Sequence, residues 1–451
     1  MTNPPLLLQG GTVLTLDANA TVLRGADVLI QDGRIASIGA PEAPEGTRVL
    51  DVSGCLVLPG LIQGHLHLGQ TFFRGLAEER RLLSWLRERI WPLEAAHDDE
   101  SAYWCSLLGA AECLLSGTTT IQDIGIGPGA RGLLQAVADS GLRAFAGQCL
   151  MDSGDALPAA MRQDTDRVLA ETEELGSQFA GTAGAAEGRL RYVLNPRFIL
   201  TCSDLLWEGI RDLASRRGWP VHTHALEQRD ETLAVRELKG GRDEVEYFAD
   251  VGLLAADLRL AHGVWITGEH LDRVRGGRFS VVHCPSSNLK LGSGVADLLA
   301  FRRAGVPVGI GCDGAACSNQ LDNFAEVRLA ALLQKVKHGP DAFSGLDALR
   351  LATSEGARAL GLQDETGTIE LGKQADLVVL AGDRPELWAA PQADPHDLVA
   401  FGASRATVRH VLVGGRLEVE EGRLTRLDLG EIYRESERCL AELIRRSGIG
   451  L

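Results

Sequence analysis

Eight short apolar runs recur through the middle of this chain, at 57–61, 119–124, 143–149, 191–196, 220–224, 258–262, 279–284 and 306–312. Stretches with helical spacing lie between them, among them 82–90, 102–115, 205–217 and 324–337. Short apolar runs alternating with amphipathic segments are the pattern of βα units around a parallel sheet. Eight units predict an α/β fold, a (β/α)8 barrel of the TIM type, in which chemistry gathers at the C-terminal ends of the strands. The flanks read differently. Residues 6–11, 26–30 and 35–38, with a turn at Asp32-Gly33, have the texture of short strands, and that texture returns at 375–380 and 408–413. Two strand-rich ends predict one small β-sandwich domain built from both termini. The expected division is 1–58 and 369–430 for that domain, 59–368 for the barrel, and 431–451 for a C-terminal helix with apolar spacing at Ile432, Cys439, Leu440 and Leu443. The Gly- and Ala-rich piece 176–188 reads as a loop.

Charge and cysteine usage narrow the partners. Lys and Arg number 45 against 61 Asp and Glu, a formal charge of −16. Such a surface repels nucleic acid and anionic membrane and favours a small-molecule partner. No apolar stretch approaches the ~20 residues of a membrane span, and the start, Met1-Thr2-Asn3-Pro4-Pro5, lacks the basic region of a signal peptide. The nine cysteines are scattered without paired spacing, which predicts reduced core thiols and a cytoplasmic protein.

The ends of the eight runs carry an unusual set of side chains. The first leads through Pro59-Gly60-Leu61-Ile62-Gln63-Gly64 to His65 and His67, which the two-residue period of a strand puts on one side. The fifth ends at His224, the sixth at His262, the seventh at His283 and the eighth at Asp313. One histidine at such a place is an ordinary core residue. Five histidines and an aspartate converging at the active end of a barrel point to a site. Three neutral imidazoles and a carboxylate suit Zn2+ or Fe2+ with a position open for water, whose pKa the metal lowers toward ~7. His222 shares a strand face with His224; His224 is preferred because it lies nearer the strand end, and His222 is placed a layer deeper. Glu227, three residues beyond His224, is positioned to shuttle protons.

These residues resemble the amidohydrolase superfamily, and within it the branch of aromatic deaminases and s-triazine hydrolases. The resemblance rests on Pro59 to His67, His224 with Glu227, Ala261-His262-Gly263, His283-Cys284-Pro285-Ser286-Ser287-Asn288-Leu289-Lys290, Cys312-Asp313-Gly314-Ala315 and Gly367-Thr368-Ile369-Glu370-Leu371-Gly372-Lys373, in that order. It implies one metal held by His65, His67, His224 and Asp313, zinc with iron as the second choice. It implies Glu227 as the proton donor to the ring nitrogen, His262 as the group that polarises the forming alkoxide or the water, and Asp313 as the proton carrier to the leaving amine. It also implies a homodimer or tetramer. Members that bridge two metals carry a lysine on the fourth strand; here 191–196 has none, and the first lysine of the chain is Lys239.

Further motifs bear on the substrate, an aminated heteroaromatic compound by this resemblance. Gly75-Leu76-Ala77-Glu78, Leu83-Ser84-Trp85-Leu86 and Trp91-Pro92-Leu93-Glu94 resemble deaminases of methylthioadenosine, S-adenosylhomocysteine or 5′-deoxyadenosine, in which Trp85 would line the pocket and Glu94 would bind ribose hydroxyls. Gln148 stands where an arginine of that group helps hold an amino-acid tail, and Arg197 where it has a histidine, which favours a short, uncharged 5′ group. Gln70 and Arg197 resemble the pair with which guanine deaminases grip the purine edge, so a guanine or triazine substrate is the alternative, and His283 is a further substrate-binding candidate. A barrel serving only as a scaffold would not require the full donor set. The HxE…PCxxC signature of nucleic-acid deaminases is absent.

Overall fold

At Gly60 the chain crosses from one sheet into another. In the computed structural model, which describes residues 4–154, 156–180, 188–390 and 392–450, Leu56–Pro59 pairs parallel with Leu6–Leu14 and antiparallel with Leu377–Leu380. One residue later Leu61–His67 begins a parallel ladder with Thr118–Asp123. A Cβ at Gly60 would lie 2.2 Å from the Thr119 side chain, so the crossing requires glycine. The apolar run expected as one strand over 57–61 is therefore two strands, and the one that opens the parallel series is Leu61–His67. His65 and His67 lie within it, and every residue of it is buried.

The parallel strands follow one another in chain order. Leu61–His67, Thr118–Asp123, Arg143–Ala146 and Leu190–Tyr192 form one ladder. Val221–Ala225, Leu258–His262, Phe279–His283 and Val308–Ile310 form the other. Cys149–Leu150 and Asn195–Pro196 prolong the third and fourth strands. The ladders meet at a parallel bridge between Leu194 and Val221, and again where Asp313–Gly314, beyond the eighth strand, pairs with Leu66 and His67. Helices occupy the intervals, and their ends are legible in local chemistry. Asp204–Arg217 starts where the Ser203 hydroxyl accepts from Leu206 N and stops at left-handed Gly218. The stretch expected as one helix over 82–90 is a turn of α-helix, Leu82–Trp85, a π-helical turn, Leu86–Ile90, and a second short helix, Trp91–Ala95.

The terminal strands hydrogen-bond into one nine-stranded sheet, in which the Leu56–Pro59/Leu377–Leu380 pairing joins the N-terminal to the C-terminal strands. Leu8, Val28 and Ile30 share a core with Val57, Leu377, Val379 and Leu412. A buried ion pair ties this sheet to the third parallel strand: Arg143 donates to both carboxylate oxygens of Asp376, at 2.6 and 3.2 Å. The C-terminal helix runs Leu429–Ser447 and buries Ile432, Cys439 and Leu443. The piece 176–188, expected as loop, begins inside helix Thr165–Ala180; a Cβ at Gly176 would strike the Trp219 ring, so that glycine serves helix packing. Residues 181–187 lie outside the described residues. All nine cysteines are buried and free. Among the described residues no helix is long and apolar enough to cross a membrane.

Candidate active site

Four donor atoms converge beside the ends of the first, fifth and eighth strands. His67 Nε2 lies 3.2 Å from His224 Nε2 and 3.2 Å from Asp313 Oδ1, and His65 Nε2 lies 3.3 Å from the same carboxylate oxygen. Four ligands each ~2.0–2.1 Å from a tetrahedral ion stand about 3.3–3.4 Å apart, and these three spacings match edges of such a site. His65 Nε2 is buried without a hydrogen bond, as expected of an atom aimed at something other than a proton partner. His65 also groups with His224 and His262, whose ligand atoms lie within 4.8 Å of one another, so His262 borders the cluster.

Backbone and side-chain contacts orient the rings. The two-residue period places His65 and His67 on one face. His224 Nδ1 lies 2.7 Å from the Arg197 carbonyl oxygen, which takes its N–H and leaves Nε2 turned inward. His65 Nδ1 faces His222 Nε2 at 3.0 Å. Asp313 adopts φ +60, and Gly311 precedes it where a Cβ would lie 2.4 Å from the His65 carbonyl oxygen. Burial pushes the His65 imidazole down to about 4 and holds His222 and His224 well below their ordinary value, so all three are neutral at pH 7 with lone pairs to offer. Burial alone would raise Asp313, but the adjoining His65 and His67 imidazoles outweigh it and hold the carboxyl well below its usual range. Ser287 Oγ donates to Asp313 Oδ2 at 2.6 Å.

A cleft opens over this cluster. Leu82, Trp85, Leu86, Phe198 and Leu291 form its apolar wall; Arg197, Glu227, Glu231 and His262 face it with His67, His224 and Asp313. Glu227 Oε2 lies 3.5 Å from His262 Nε2, which is 3.8 Å from Asp313 Oδ2. Burial raises the Glu227 carboxyl above the usual carboxylate range. Ser293 Oγ donates to Glu227 Oε1 at 3.2 Å, and His262 Nδ1 meets Asn288 Oδ1 at 2.9 Å. Ser287 and Asn288 lie in the run His283 to Lys290 quoted for the resemblance but were given no role there, and Ser293 lies beyond it.

The remaining expected residues divide. Trp85 and Arg197 line the cleft. Glu94 is buried behind it, with Oε2 accepting from Arg197 Nη1 at 2.6 Å and Oε1 from Gln70 Nε2 at 2.8 Å. Gln70 Nε2 also lies 3.2 Å from His67 Nδ1. Gln148 is not brought to the cleft: the third strand turns it toward helix Thr165–Ala180, where Thr172 Oγ1 donates to its side-chain oxygen. His283 is buried in the seventh strand, outside the cleft lining, with both ring nitrogens unpartnered and its imidazole pushed by burial down to about 3.

The model of the amidohydrolase family matches residues 56–417. This chain belongs to that family. It is 34% identical over 449 residues to a 5-methylthioadenosine/S-adenosylhomocysteine deaminase of Pelotomaculum thermopropionicum, covering 98% of this chain and 99% of that protein. It is 35% identical over 445 residues to a 5′-deoxyadenosine deaminase of Methanothermobacter thermautotrophicus, covering 98% and 100%. Among solved structures, an adenosine deaminase from Xanthomonas campestris with bound zinc superimposes with a TM-score of 0.89 at 30% identity over 98% of both chains. The zinc in that neighbour and the histidine-rich cluster here support a metal cofactor for this amidohydrolase.

Proposed function

We propose that this amidohydrolase is a metal-dependent hydrolytic deaminase of an aminated purine, and that its substrate is an adenosine-type nucleoside with a short 5′ group, such as 5′-deoxyadenosine or methylthioadenosine. The scaffold is a (β/α)8 barrel over 59–368, closed through the Leu194–Val221 and Asp313–Leu66 contacts, with a β-sandwich from 1–58 and 369–430 and a helix from 431 onward. One observation carries the chemistry. The wall of one cleft brings together metal-type donors, among them His67, His224 and the Asp313 carboxylate that its neighbours hold low, and a second carboxyl, Glu227, that burial raises.

His65, His67, His224 and Asp313 would hold one Zn2+, with Fe2+ the alternative by donor type. An ion at such a site supplies a water acidified toward pKa ~7. The protein's own groups then manage protons. Glu227, whose carboxyl burial raises, gives its proton to the ring nitrogen beside the attacked carbon, so that charge does not build on the ring. Asp313 takes one proton from the attacking water and delivers it to the departing amine, which leaves as ammonia, while the proton remaining on the new hydroxyl returns to Glu227 as the carbonyl forms. His262 faces both carboxyls through Nε2 and stabilises the oxygen at the attacked carbon. The apolar wall around Trp85 and Phe198 excludes bulk water and packs on the base.

The cleft supports a short 5′ group. Arg197 is the cation among its described lining residues, and Glu94 already engages it. With Gln148 turned away, nothing described in the lining is free to bind an amino-acid carboxylate. A second reading, an oxopurine such as guanine or a triazine, draws on the same pair: both Glu94 oxygens are occupied, so the polar group presented to the cleft is the Arg197 guanidinium, a donor suited to a ring acceptor. Ammonia release by the metal-reconstituted protein tests both. 5′-Deoxyadenosine and methylthioadenosine should exceed S-adenosylhomocysteine, guanine and aminated triazines in kcat/KM. Preference for guanine or a triazine selects the second reading, preference for S-adenosylhomocysteine removes the short-group argument, and silence across the panel overturns deamination.

A further inference from the structure

Beside Glu227, on the lining of the same cleft, stands a second buried carboxylate that the chemistry above does not use. Glu231 lies in the first turn of helix Arg229–Leu238 and is only 1% exposed, although its neighbour Asp230 points to solvent. Part of its role is ordinary. It closes a capping box with Gln228, its Oε2 accepting from Gln228 N at 3.2 Å. The shorter of its two bonds goes one residue further back: the same Oε2 accepts from Glu227 N at 2.9 Å. A capping box does not call for that bond.

Glu227 needs a fixed turn. It leaves the fifth strand directly after Leu226, whose φ is +54. A leucine in the left-handed region is strained and persists only where neighbours hold it. Leu226 cannot move freely to relieve the strain, because its side chain belongs to the main core. Two amides immediately downstream, those of Glu227 and Gln228, are gathered on one carboxylate oxygen. Glu244 backs this arrangement at 1% exposure, with Oε1 accepting from Thr232 Oγ1 at 2.9 Å.

We propose that Glu231 is a positioning residue for the deamination: by accepting from both Glu227 N and Gln228 N it locks the left-handed turn at Leu226 and aims the Glu227 carboxyl at His262 and the substrate ring. The assignment rests on the reading of Glu227 as proton donor. Burial and the nearby Glu244 push the Glu231 carboxyl up, in keeping with a group that works as an acceptor inside the fold and not as a free charge.

Three substitutions separate acceptor reach from charge and from simple packing. Glu231→Gln keeps an oxygen at the same reach, and kcat should stay within about 3-fold of wild type. Glu231→Asp keeps the carboxyl but withdraws it by one methylene, and Glu231→Ala removes it. Both should lower kcat by about 10²-fold, the scale of a displaced general acid, with KM and bound metal per chain unchanged and the alkaline limb of the pH–kcat profile displaced. Asp is the milder replacement and keeps the test informative if Ala does not fold. Equal loss in Gln and Asp, a loss carried by KM or metal content, or full activity in Asp each overturns the proposal. Glu227→Gln is the control for the underlying reading. If it retains turnover, Glu227 is not the donor whatever Glu231 does; if it is dead while Glu231→Asp is fully active, only the positioning role fails.

Discussion

Arg197 donates to Glu94 across 103 residues of sequence, Nη1 to Oε2 at 2.6 Å, with both side chains almost wholly buried. An ion pair so enclosed contributes little net stability over a matched apolar pair, but removing one partner leaves a charge stranded in a poorly solvating interior. Arg197→Met should therefore cost about 3–5 kcal/mol, read from the urea midpoint of the metal-loaded protein. Adding Glu94→Gln should return most of that loss, because the stranded charge goes with it. If the double variant is no more stable than the single, the pair does not govern this wall of the cleft.

Asp313 carries two assignments, donor to the ion and carrier of a proton, and its carboxylate is presented by a backbone at φ +60. Asp313→Asn keeps the shape and the acceptor oxygen but not the anion. The expected result is native circular dichroism with kcat down by more than about 10³-fold, since a missing proton carrier and a weakened ion act together. Retention of more than a few per cent of wild-type turnover would refute the proton-carrier role.

Much of this site was legible because strands repeat every two residues. The His65/His67 pair, His224, His262 and Asp313 all fall at the ends of apolar runs, and the structure brings them to one place. Other features left no trace in the sequence. The run through Gly60 is continuously apolar, so nothing marks the change of sheet; only the close approach of Thr119 explains it. The left-handed residues Leu226, His262 and Asp313 are not glycines, and their backbone is set by tertiary contacts. Gln148 was read from the resemblance, as the residue standing where an arginine holds an amino-acid tail, but the third strand is interrupted after Ala146 and resumes at Cys149, and the side chain turns toward Thr172. The Glu94–Arg197 pairing joins segments far apart in the chain, and each had been read alone.

His222, expected a layer below the site, faces His65 Nδ1 with its own Nε2 at 3.0 Å. Such a partner fixes the tautomer and ring angle of a metal-binding histidine. His222→Ala should weaken metal affinity by about 10–100-fold, measured by competition with a chromogenic chelator, while saturating metal restores most of kcat. In the wild-type protein, chelation should abolish turnover and lower the melting temperature, and one equivalent of zinc per chain should restore both. Unchanged affinity in the His222 variant would make the contact incidental.

Glu326 gives the clearest pH signature. It lies in helix Asn323–His338, almost fully buried, and Oε2 accepts from Ser286 N at 2.9 Å. Burial pushes its carboxyl from 4.5 up to about 7; the bonds from Ser286 pull the other way but do not cancel it, and the charges of Asp313 and Asp322 add to the rise. A carboxyl raised in the folded state favours folding in its protonated form. Its contribution is therefore complete below the unfolded value near 4.5 and is lost as pH climbs through about 7. A shift of that size corresponds to about 3 kcal/mol. Glu326→Gln keeps an acceptor for Ser286 N and carries no charge at any pH. Relative to wild type, the variant should gain stability progressively between pH 4.5 and 7, reaching an advantage of about 3 kcal/mol above pH 8. Urea unfolding at a series of pH values reads this directly, and an offset between the two proteins that does not change with pH would show that Glu326 is already ionised in the fold.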